Sequence, residues 1–523
     1  MDSPQQERNV LQFALDNPII LTAILKQNPA PLKEARLVSH LWNETVLSLP
    51  YPRLALKMNY EPIPNAPEDD RNFKKFFTSI DDRLAKRVNA IYIFHVRLFG
   101  WDAGFDDLQL IYLCNNYGDK IQIFEAIIDH EMGLKSFYKI AKRGRPNLQQ
   151  LRITCTFPPN PASCPEHEYF MRNGLPSKPN LTLFTLSSKA MTYMLTRFVQ
   201  VFVDAAPNLK VATIPLGFYP NFANSKFLTS LTIAIDGVDQ SYFDDPAYKP
   251  VELCRMLDQV RDQLVTLNFC SVENILGLKN IDETSDFDNL VPTIGIQLPG
   301  SMPKLVKFRN EMVEVFRCDD FLMNADTPKT LLIGKGFKWS GRLEEILENV
   351  VHSRKVLSSV RNLEITELHD LQLFGGLVTA FPNLERLKVE SFYCTDFKGE
   401  ESEMELGVVL KTCKGWKGLK HLDLALPTYP IEILEIIKAL LEVGELYKRL
   451  RTLQIETYNG NFLRHDLTLE ELDLFKQLLL AMDGMDEVKI TNLILSKKSV
   501  ENLVAFIEAN AMSLYKFNLL RTD

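Results

Sequence analysis

Residues 381–389 read FPNLERLKV, and the same phrase occurs twice more in the 523-residue chain. Residues 145–153 (RPNLQQLRI) and 206–214 (APNLKVATI) share its Pro-Asn-Leu opening and its apolar spacing. The spacing ends in an alternation of apolar and polar residues, which is typical of a strand with one buried face. A shared opening before each alternation indicates an internal repeat.

Looser copies extend this pattern through most of the chain. Their first apolar residues are Leu228, Leu264, Val360, Leu419, Leu450, Met485 and Leu514, with a fainter copy at Val88. From Val360 through Leu384 to Leu514, successive copies begin 24 to 35 residues apart. Steps of about 20–50 residues are the mark of a stacked array, in which neighbouring units bury one another's apolar faces.

Helix-like segments lie between these phrases, at residues 191–205, 430–446, 468–482 and 499–509. Their apolar residues recur at helical spacing, and Thr468 with Glu471 fits a capping box. The predicted repeating unit is therefore a helix, a short loop and a short strand.

The phrases resemble the L-x-x-L-x-L-x-x-N/C-x-L motif of the leucine-rich-repeat family, and the resemblance implies an α/β solenoid. In this chain the family's Asn or Cys position is held by residues that cannot form a buried amide ladder. They are Thr156, Val272, Phe392, Pro427 and Tyr458. The prediction is therefore an irregular leucine-rich-repeat solenoid of class α/β. The alternative is a general α/β domain whose periodicity arises by chance.

Residues 9–49 have the pattern of a small all-α module. Asn17 can cap a helix, and Pro18 suits the first helical position, where a missing N–H costs nothing. A second helix is predicted to begin near Leu32, after a proline-rich break at residues 28–31 (NPAP). The apolar positions that share a helical face are Leu21, Ile24 and Leu25 in the first helix and Ala35, Val38 and Trp42 in the second.

This module is similar to an F-box, chiefly through residues 35–43 (ARLVSHLWN) and the apolar positions before them. F-box proteins dock through such helices onto the Skp-type adaptor of SCF-type cullin ubiquitin ligases, while a repeat domain selects the target protein. The adaptor-binding residues that the resemblance implies are Pro18, Leu21, Ile24, Leu25, Leu32, Ala35, Val38 and Trp42. The alternative is that residues 9–49 are a helical cap on the first repeat.

The predicted organisation has three parts. Residues 9–49 form the F-box-like module, residues 50–84 a linker and first turns, and residues 85–523 the solenoid. The break follows from residues 61–70 (EPIPNAPEDD), because closely spaced prolines interrupt both helices and strands.

Composition narrows the function classes. The formal net charge is −8, so the chain lacks the basic field by which proteins hold nucleic acid or an anionic membrane. Eight scattered cysteines fit reduced thiols, the N-terminus has no secretory signal pattern, and no window has 18 uncharged apolar residues. We therefore expect a cytoplasmic and/or nuclear protein with no nucleic-acid or membrane partner.

Candidate chemical motifs are weak. The residues 164–167 (CPEH) have ligand-like spacing without a second pair, and residues 334–341 (GKGFKWSG) match no phosphate-binding motif. Basic residues at 139–145 and acidic residues at 400–405 are most simply solvated loops. We predict no catalytic residue, metal or cofactor. The predicted function is that of a non-catalytic substrate receptor of an SCF-type ligase; the alternative is a repeat scaffold without a ubiquitin role.

Overall fold

The computed structural model describes residues 17–27, 38–48, 54–59, 88–96, 121–128, 131–142, 147–156, 174–188, 193–235, 249–271, 298, 302–313, 316–324, 326–334, 342–391, 404–426, 433–457, 466–491, 495–513 and 517–520. The chain divides into two compact units. The first comprises residues 1–157 with 175–181, and the second comprises residues 158–174 with 182–523.

Among the described residues, the first unit contains three helices and four strands. The helices are α1 (Pro18–Gln27), α2 (His40–Ser48) and α3 (Glu131–Lys142). The strands are β1 (Leu54–Asn59), β2 (Val88–Val96), β3 (Ile123–Ile128) and β4 (Gln150–Cys155), which pair in parallel and in chain order. Strand β1 lies inside residues 50–84, so part of the predicted linker segment is sheet; the domain boundaries at 49 and 84 stay predictions.

The second unit contains ten helices and twelve strands among the described residues. The strands are β5 (Leu183–Ser188), β6 (Val211–Pro215), β7 (Ser230–Ile235), β8 (Thr266–Ser271), β9 (Lys307–Asn310), β10 (Thr330–Gly334), β11 (Asn362–Thr366), β12 (Arg386–Glu390), β13 (His421–Leu426), β14 (Thr452–Thr457), β15 (Glu487–Thr491) and β16 (Phe517–Leu520). The helices are α4 (Tyr193–Ala205), α5 (Pro250–Val260), α6 (Asp319–Asn324), α7 (Arg342–His352), α8 (Leu371–Ala380), α9 (Leu406–Cys413), α10 (Ile433–Leu441), α11 (Gly444–Tyr447), α12 (Leu469–Ala481) and α13 (Lys497–Ala509).

All strand pairs of this unit are parallel and follow chain order. The apolar positions of each phrase make the core. Leu384, Leu387 and Val389 are fully buried, whereas the alternating residues Lys388 and Glu390 are only partly buried on the other face. Because successive strand side chains point to opposite faces, the L-x-x-L-x-L spacing places every second residue in the core.

The Pro-Asn-Leu opening has a structural role at its best-described copy. The side-chain amide of Asn383 donates a hydrogen bond to the backbone oxygen of Ser358 in the preceding repeat (2.9 Å). Proline suits a turn because its φ is fixed and it has no N–H to satisfy. The phrase therefore turns the chain into a strand and fastens it to the preceding repeat.

In place of an asparagine ladder, hydroxyl groups donate hydrogen bonds to buried backbone oxygen atoms. Ser391 Oγ donates to the backbone oxygen of Leu368 (2.7 Å), and Thr491 Oγ1 donates to that of Ile455 (3.2 Å). A buried amide contributes as well: Asn310 Nδ2 donates to the backbone oxygen of Phe316 (2.6 Å). Different side chains thus satisfy the buried backbone groups from one repeat to the next.

The predicted helices are present, with one correction. Residues 430–446 were expected to form a single helix, but the structure has α10 and α11, separated by a turn at Glu442 and Val443. Val443 has φ −109° and ψ 22°, which is outside the helical region, and Gly444 begins the second helix. Tyr447 Oη donates to the backbone oxygen of Leu440 (2.7 Å) and holds the two helices together.

Candidate functional site

The N-terminal helix pair, α1 with α2, is the first candidate site. The side-chain oxygen of Asn17 accepts hydrogen bonds from the backbone N–H groups of Ile19 (2.9 Å) and Ile20 (3.5 Å), as predicted for a cap. Ser39 Oγ accepts one from the N–H of Trp42 (3.2 Å) and caps α2. The predicted start of the second helix near Leu32 lies outside the described residues, but the predicted continuous stripe from Ala35 through Val38 to Trp42 is wrong, because Val38 and Ser39 are not helical and α2 begins at His40.

Burial sorts the predicted adaptor-binding residues into two groups. Leu21 and Leu25 are buried together with Val46, and Trp42 packs partly buried against them. Ile24 and Val38 face solvent, with exposed fractions of 44% and 62%. Pro18 is also exposed, whereas Leu32 and Ala35 lie outside the described residues.

Two further apolar side chains, Ile19 and Ile20, are exposed on α1, the first of them to 79%. Residues four apart are neighbours on a helix surface, so Ile20 and Ile24 extend one another. We call Ile19, Ile20, Ile24 and Val38 the exposed aliphatic set. Exposed apolar side chains that lie together mark surfaces that a partner covers, and Ile20 with Ile24 forms such a pair on α1.

The open face of strands β11–β15 is the second candidate site. Here Glu364, Lys388, Asp423, Gln454 and Lys489 are register partners on successive strands. Because adjacent strands lie about 4.8 Å apart, these five side chains form one continuous row. Along each strand the residues before and after these positions point inward and are buried in the core, so the sheet holds the row in place.

Ion pairs organise one end of this row. Lys388 Nζ lies 3.0 Å from Glu364 Oε1 and 2.6 Å from Glu390 Oε1. Burial works against the ammonium, but the two carboxylates outweigh it and raise the pKa of Lys388 to about 12. The lysine is therefore a fixed cation between two anions.

Asp423 stands beside that cluster without a hydrogen bond or ion pair of its own in the described part of the chain. Burial is the main cause that raises its pKa, to about 6, and Glu390 and Glu456 add to the effect. Lys388 and Lys489 oppose it. This carboxyl group can therefore gain a cationic or hydrogen-bonding partner from outside the chain.

The open face of β5–β8 differs, because it is neutral. Thr185, Thr213, Thr232 and Asn268 are register partners along it, and Asn268 Nδ2 donates to Thr232 Oγ1 (3.0 Å). The nearby Cys270 is no nucleophile, since burial and the charge of Glu311 raise the pKa of its thiol to about 12.

Residues 164–167 lie outside the described residues, as do residues 335–341. No group of three or more His, Cys, Asp or Glu able to hold a metal ion occurs among the residues that the structure describes. Within the same residues, every helix is too short or too polar to cross a membrane.

Comparisons with known proteins bear on the fold alone. No family model matches the chain, and no curated protein matches it. A solved Bacteroides fragilis protein shares 12% identity over 56% of this chain and 66% of its own, with a TM-score of 0.29. The leucine-rich repeat-containing protein LegL7 from Legionella pneumophila shares 12% identity over 70% of this chain and 98% of its own, with a TM-score of 0.35.

The larger unit is leucine-rich-repeat-like. This follows from its own architecture, in which parallel strands stack in chain order, helices connect many of them, and each phrase buries the same positions. At 12% identity and these TM-scores, the two solved structures carry no information about a ligand or partner.

Proposed function

We propose that this protein is the substrate-recognition subunit of an SCF-type ubiquitin ligase. The N-terminal helix pair would dock the Skp-type adaptor, and the repeats would bind the target protein. The chain itself would perform no covalent chemistry. Its contribution would be to raise the effective concentration of target lysines near the cullin-bound conjugating enzyme.

The exposed aliphatic set carries this proposal. Among the described residues of this region, the buried apolar side chains are Leu21, Leu25 and Val46, while the four aliphatic side chains of the exposed set stay in water. Covering an aliphatic side chain stabilises a complex by about 1.5–3 kcal/mol when burial is complete. An adaptor that covers this set would supply the apolar surroundings that the helix pair lacks.

The predicted adaptor-binding residues then take two roles. Ile24, Val38 and Pro18 would contact the adaptor, because they are exposed. Leu21, Leu25 and Trp42 would hold α1 against α2 and so act indirectly. Leu32 and Ala35 stay predicted contacts.

The test is capture of the full-length protein by an immobilised Skp-type adaptor. The variant Ile24→Asp/Val38→Asp places two charges in the exposed aliphatic set without touching the buried residues of the pair. Its control is Val251→Asp, which charges a valine on α5 of the other unit that is even more exposed, at 78%. We expect capture of the wild type and of Val251→Asp, and loss of capture for the double variant.

Capture that survives the double variant would contradict the assigned surface. Failure of the well-folded wild type to bind the adaptor would contradict the ligase role itself. The alternative function is then a leucine-rich-repeat-like binding scaffold whose first helices are a cap. It is supported by the rigid, charged open face of β11–β15, which needs no adaptor to bind a protein.

A further inference from the structure

A cleft opens at the edge of the larger unit where strands β11–β13 begin. Its volume is about 460 Å³, within the usual range for ligand sites. The turn before β12 and the turn before β13 form its two walls. We call it the basic cleft; its lining residues include Arg361, Asn383, Glu385, Lys417 and Lys420.

Two glycines allow the turns to approach so closely. A Cβ on Gly418 would lie 3.1 Å from the backbone oxygen of Leu384, and one on Gly415 would lie 2.6 Å from Cγ1 of Val378. Between them Trp416 is fully buried, and its Nε1 donates to the backbone oxygen of Phe381 (2.9 Å). The floor is thus fixed, while the neighbouring Lys417 is exposed.

Positive charge collects around this cleft. Arg361 donates to the backbone oxygen of Asn383 (3.2 Å), which orients its guanidinium along one wall. Arg386 and Arg451 stand at the starts of β12 and β14, on either side of the start of β13. Like Lys417, they make no ion pair with any residue in the described ranges, so their charges are available to a ligand.

Two carboxylates belong to the same edge and must be counted. Glu385 is paired with Lys420 (2.9 Å between Oε2 and Nζ), and Asp486 occupies the equivalent position three repeats later, before β15. The positive charges at this edge nevertheless outweigh the negative ones, as the pKa of His421 shows. Burial lowers the pKa of its imidazole, and Arg386, Arg451 and Lys420 lower it further against the opposing effect of Asp486.

The ion pair between Glu385 and Lys420 shows that the cleft stabilises a carboxylate. The hydrogen bond from Lys420 lowers the pKa of this exposed carboxyl group, and the charges of Arg361 and His421 act in the same direction. A carboxylate from another protein would meet the same ammonium and guanidinium groups, together with the unpaired Lys417.

We propose that the basic cleft binds an Asp- and Glu-rich segment of the protein partner held by the repeats. This assignment rests on one part of the proposed function, namely that the repeats bind a protein. A general attraction cannot account for such binding, because the whole chain carries a formal charge of −8. The cleft would then select acidic segments by local charge complementarity, which governs specificity and association rate.

The test uses the full-length protein and a short fluorescent peptide of Asp, Glu and Gly, followed by fluorescence anisotropy. A peptide with Asn and Gln in place of the acids, a phosphoserine peptide without acids, and inorganic phosphate as competitor distinguish the anions. The variants are Arg361→Glu/Lys417→Glu and the milder Lys417→Gln. The matched control is Lys497→Glu/Lys498→Glu, which makes the same charge change at two exposed lysines of α13, far from the cleft in sequence.

We expect the acidic peptide alone to bind, with an affinity that falls as salt is added. The double cleft variant should weaken it about tenfold, Lys417→Gln less, and the control little. No binding, equal loss in the control, or preference for the phosphoserine peptide or phosphate would overturn the proposal. Adaptor capture by the same variants should be unchanged, so failure here is separable from failure of the ligase role.

Discussion

Two tryptophans show how differently the two regions of this molecule bury apolar surface. Trp416 of the larger unit is fully buried, its ring centroid lies 5.5 Å from that of Phe374, and its N–H is hydrogen-bonded. Trp42 of the N-terminal helix pair is only partly buried, against Leu21, Leu25 and Val46. Each repeat shares its core with its neighbours, whereas the described residues of α1 and α2 bury only a small cluster of apolar side chains.

The largest effect expected from this difference is on stability. Trp416→Ala should lower the free energy of unfolding of the larger unit by about 3–5 kcal/mol, because it opens a cavity and leaves the backbone oxygen of Phe381 without its donor. Trp42→Ala should leave the unfolding of that unit almost unchanged. Urea unfolding of the full chain, followed by far-UV circular dichroism, measures both.

Equal losses for the two tryptophan variants would break the comparison, since they would mean that the helix pair contributes as much core as a repeat. A loss below about 1 kcal/mol for Trp416→Ala would mean that the turn before β13 is not held by its buried ring.

The charged row on the open face of β11–β15 extends the comparison, because the stacked repeats partly bury even side chains on their solvent-facing side. The pKa of Asp423 lies at about 6, raised from an ordinary 3.8 mainly by burial. Folding therefore disfavours the charged form, so stability is greatest when the carboxyl is protonated. It should fall as pH rises from about 4 through 6, by about 3 kcal/mol in all.

Asp423→Asn should remove that dependence, which urea midpoints between pH 4 and 8 would show as a flatter profile and a more stable variant at neutral pH. Asp262→Asn, at a well-exposed carboxylate, is the control and should leave the profile unchanged. A steeper loss of stability at high pH in Asp423→Asn would contradict the assigned direction.

The sequence predicted the core of the repeats well, because burial there follows a spacing. Leu228, Leu264, Leu384, Leu419 and Leu450 all lead into strands and are all buried as expected. The capping box at α12 is confirmed: Glu471 N–H donates to Thr468 Oγ1 (3.3 Å) and Thr468 N–H to Glu471 Oε2 (2.7 Å). Local hydrogen bonds of this kind need no tertiary information.

Strands with unusual residues at the core positions escaped prediction. β5 uses Phe184 in place of the middle leucine, and β9 places the buried Asn310 where an aliphatic residue was expected. Stacking makes these substitutions tolerable, because neighbouring repeats supply the apolar contacts that one phrase lacks. The spacing of apolar residues in a single sequence does not reveal which repeats will be neighbours.

The candidate sites were harder still to predict. Helical spacing put Leu21, Ile24 and Leu25 on one face, yet the structure buries two of them and exposes Ile24. The distinction depends on which side α2 covers. Similarly, Arg361 and Lys417 belong to different repeats, and only strand register brings them to one cleft.

The smallest expected effect compares two adjacent glycines of α8 and tests how closely the repeats stack. A Cβ on Gly376 would lie 2.7 Å from Cγ1 of Val351 on α7, whereas a Cβ on Gly375 would have no neighbour within 4 Å. Gly376→Ala should therefore cost about 1–3 kcal/mol through overpacking between the two helices. Gly375→Ala should instead gain about 0.5–1 kcal/mol, because alanine loses less conformational entropy in a helix. Opposite shifts of the urea midpoint would establish that helix-to-helix contact, and not helix propensity, requires glycine at 376. Shifts of the same sign would show that α7 can move away, and that the repeats are packed no more tightly than the N-terminal pair.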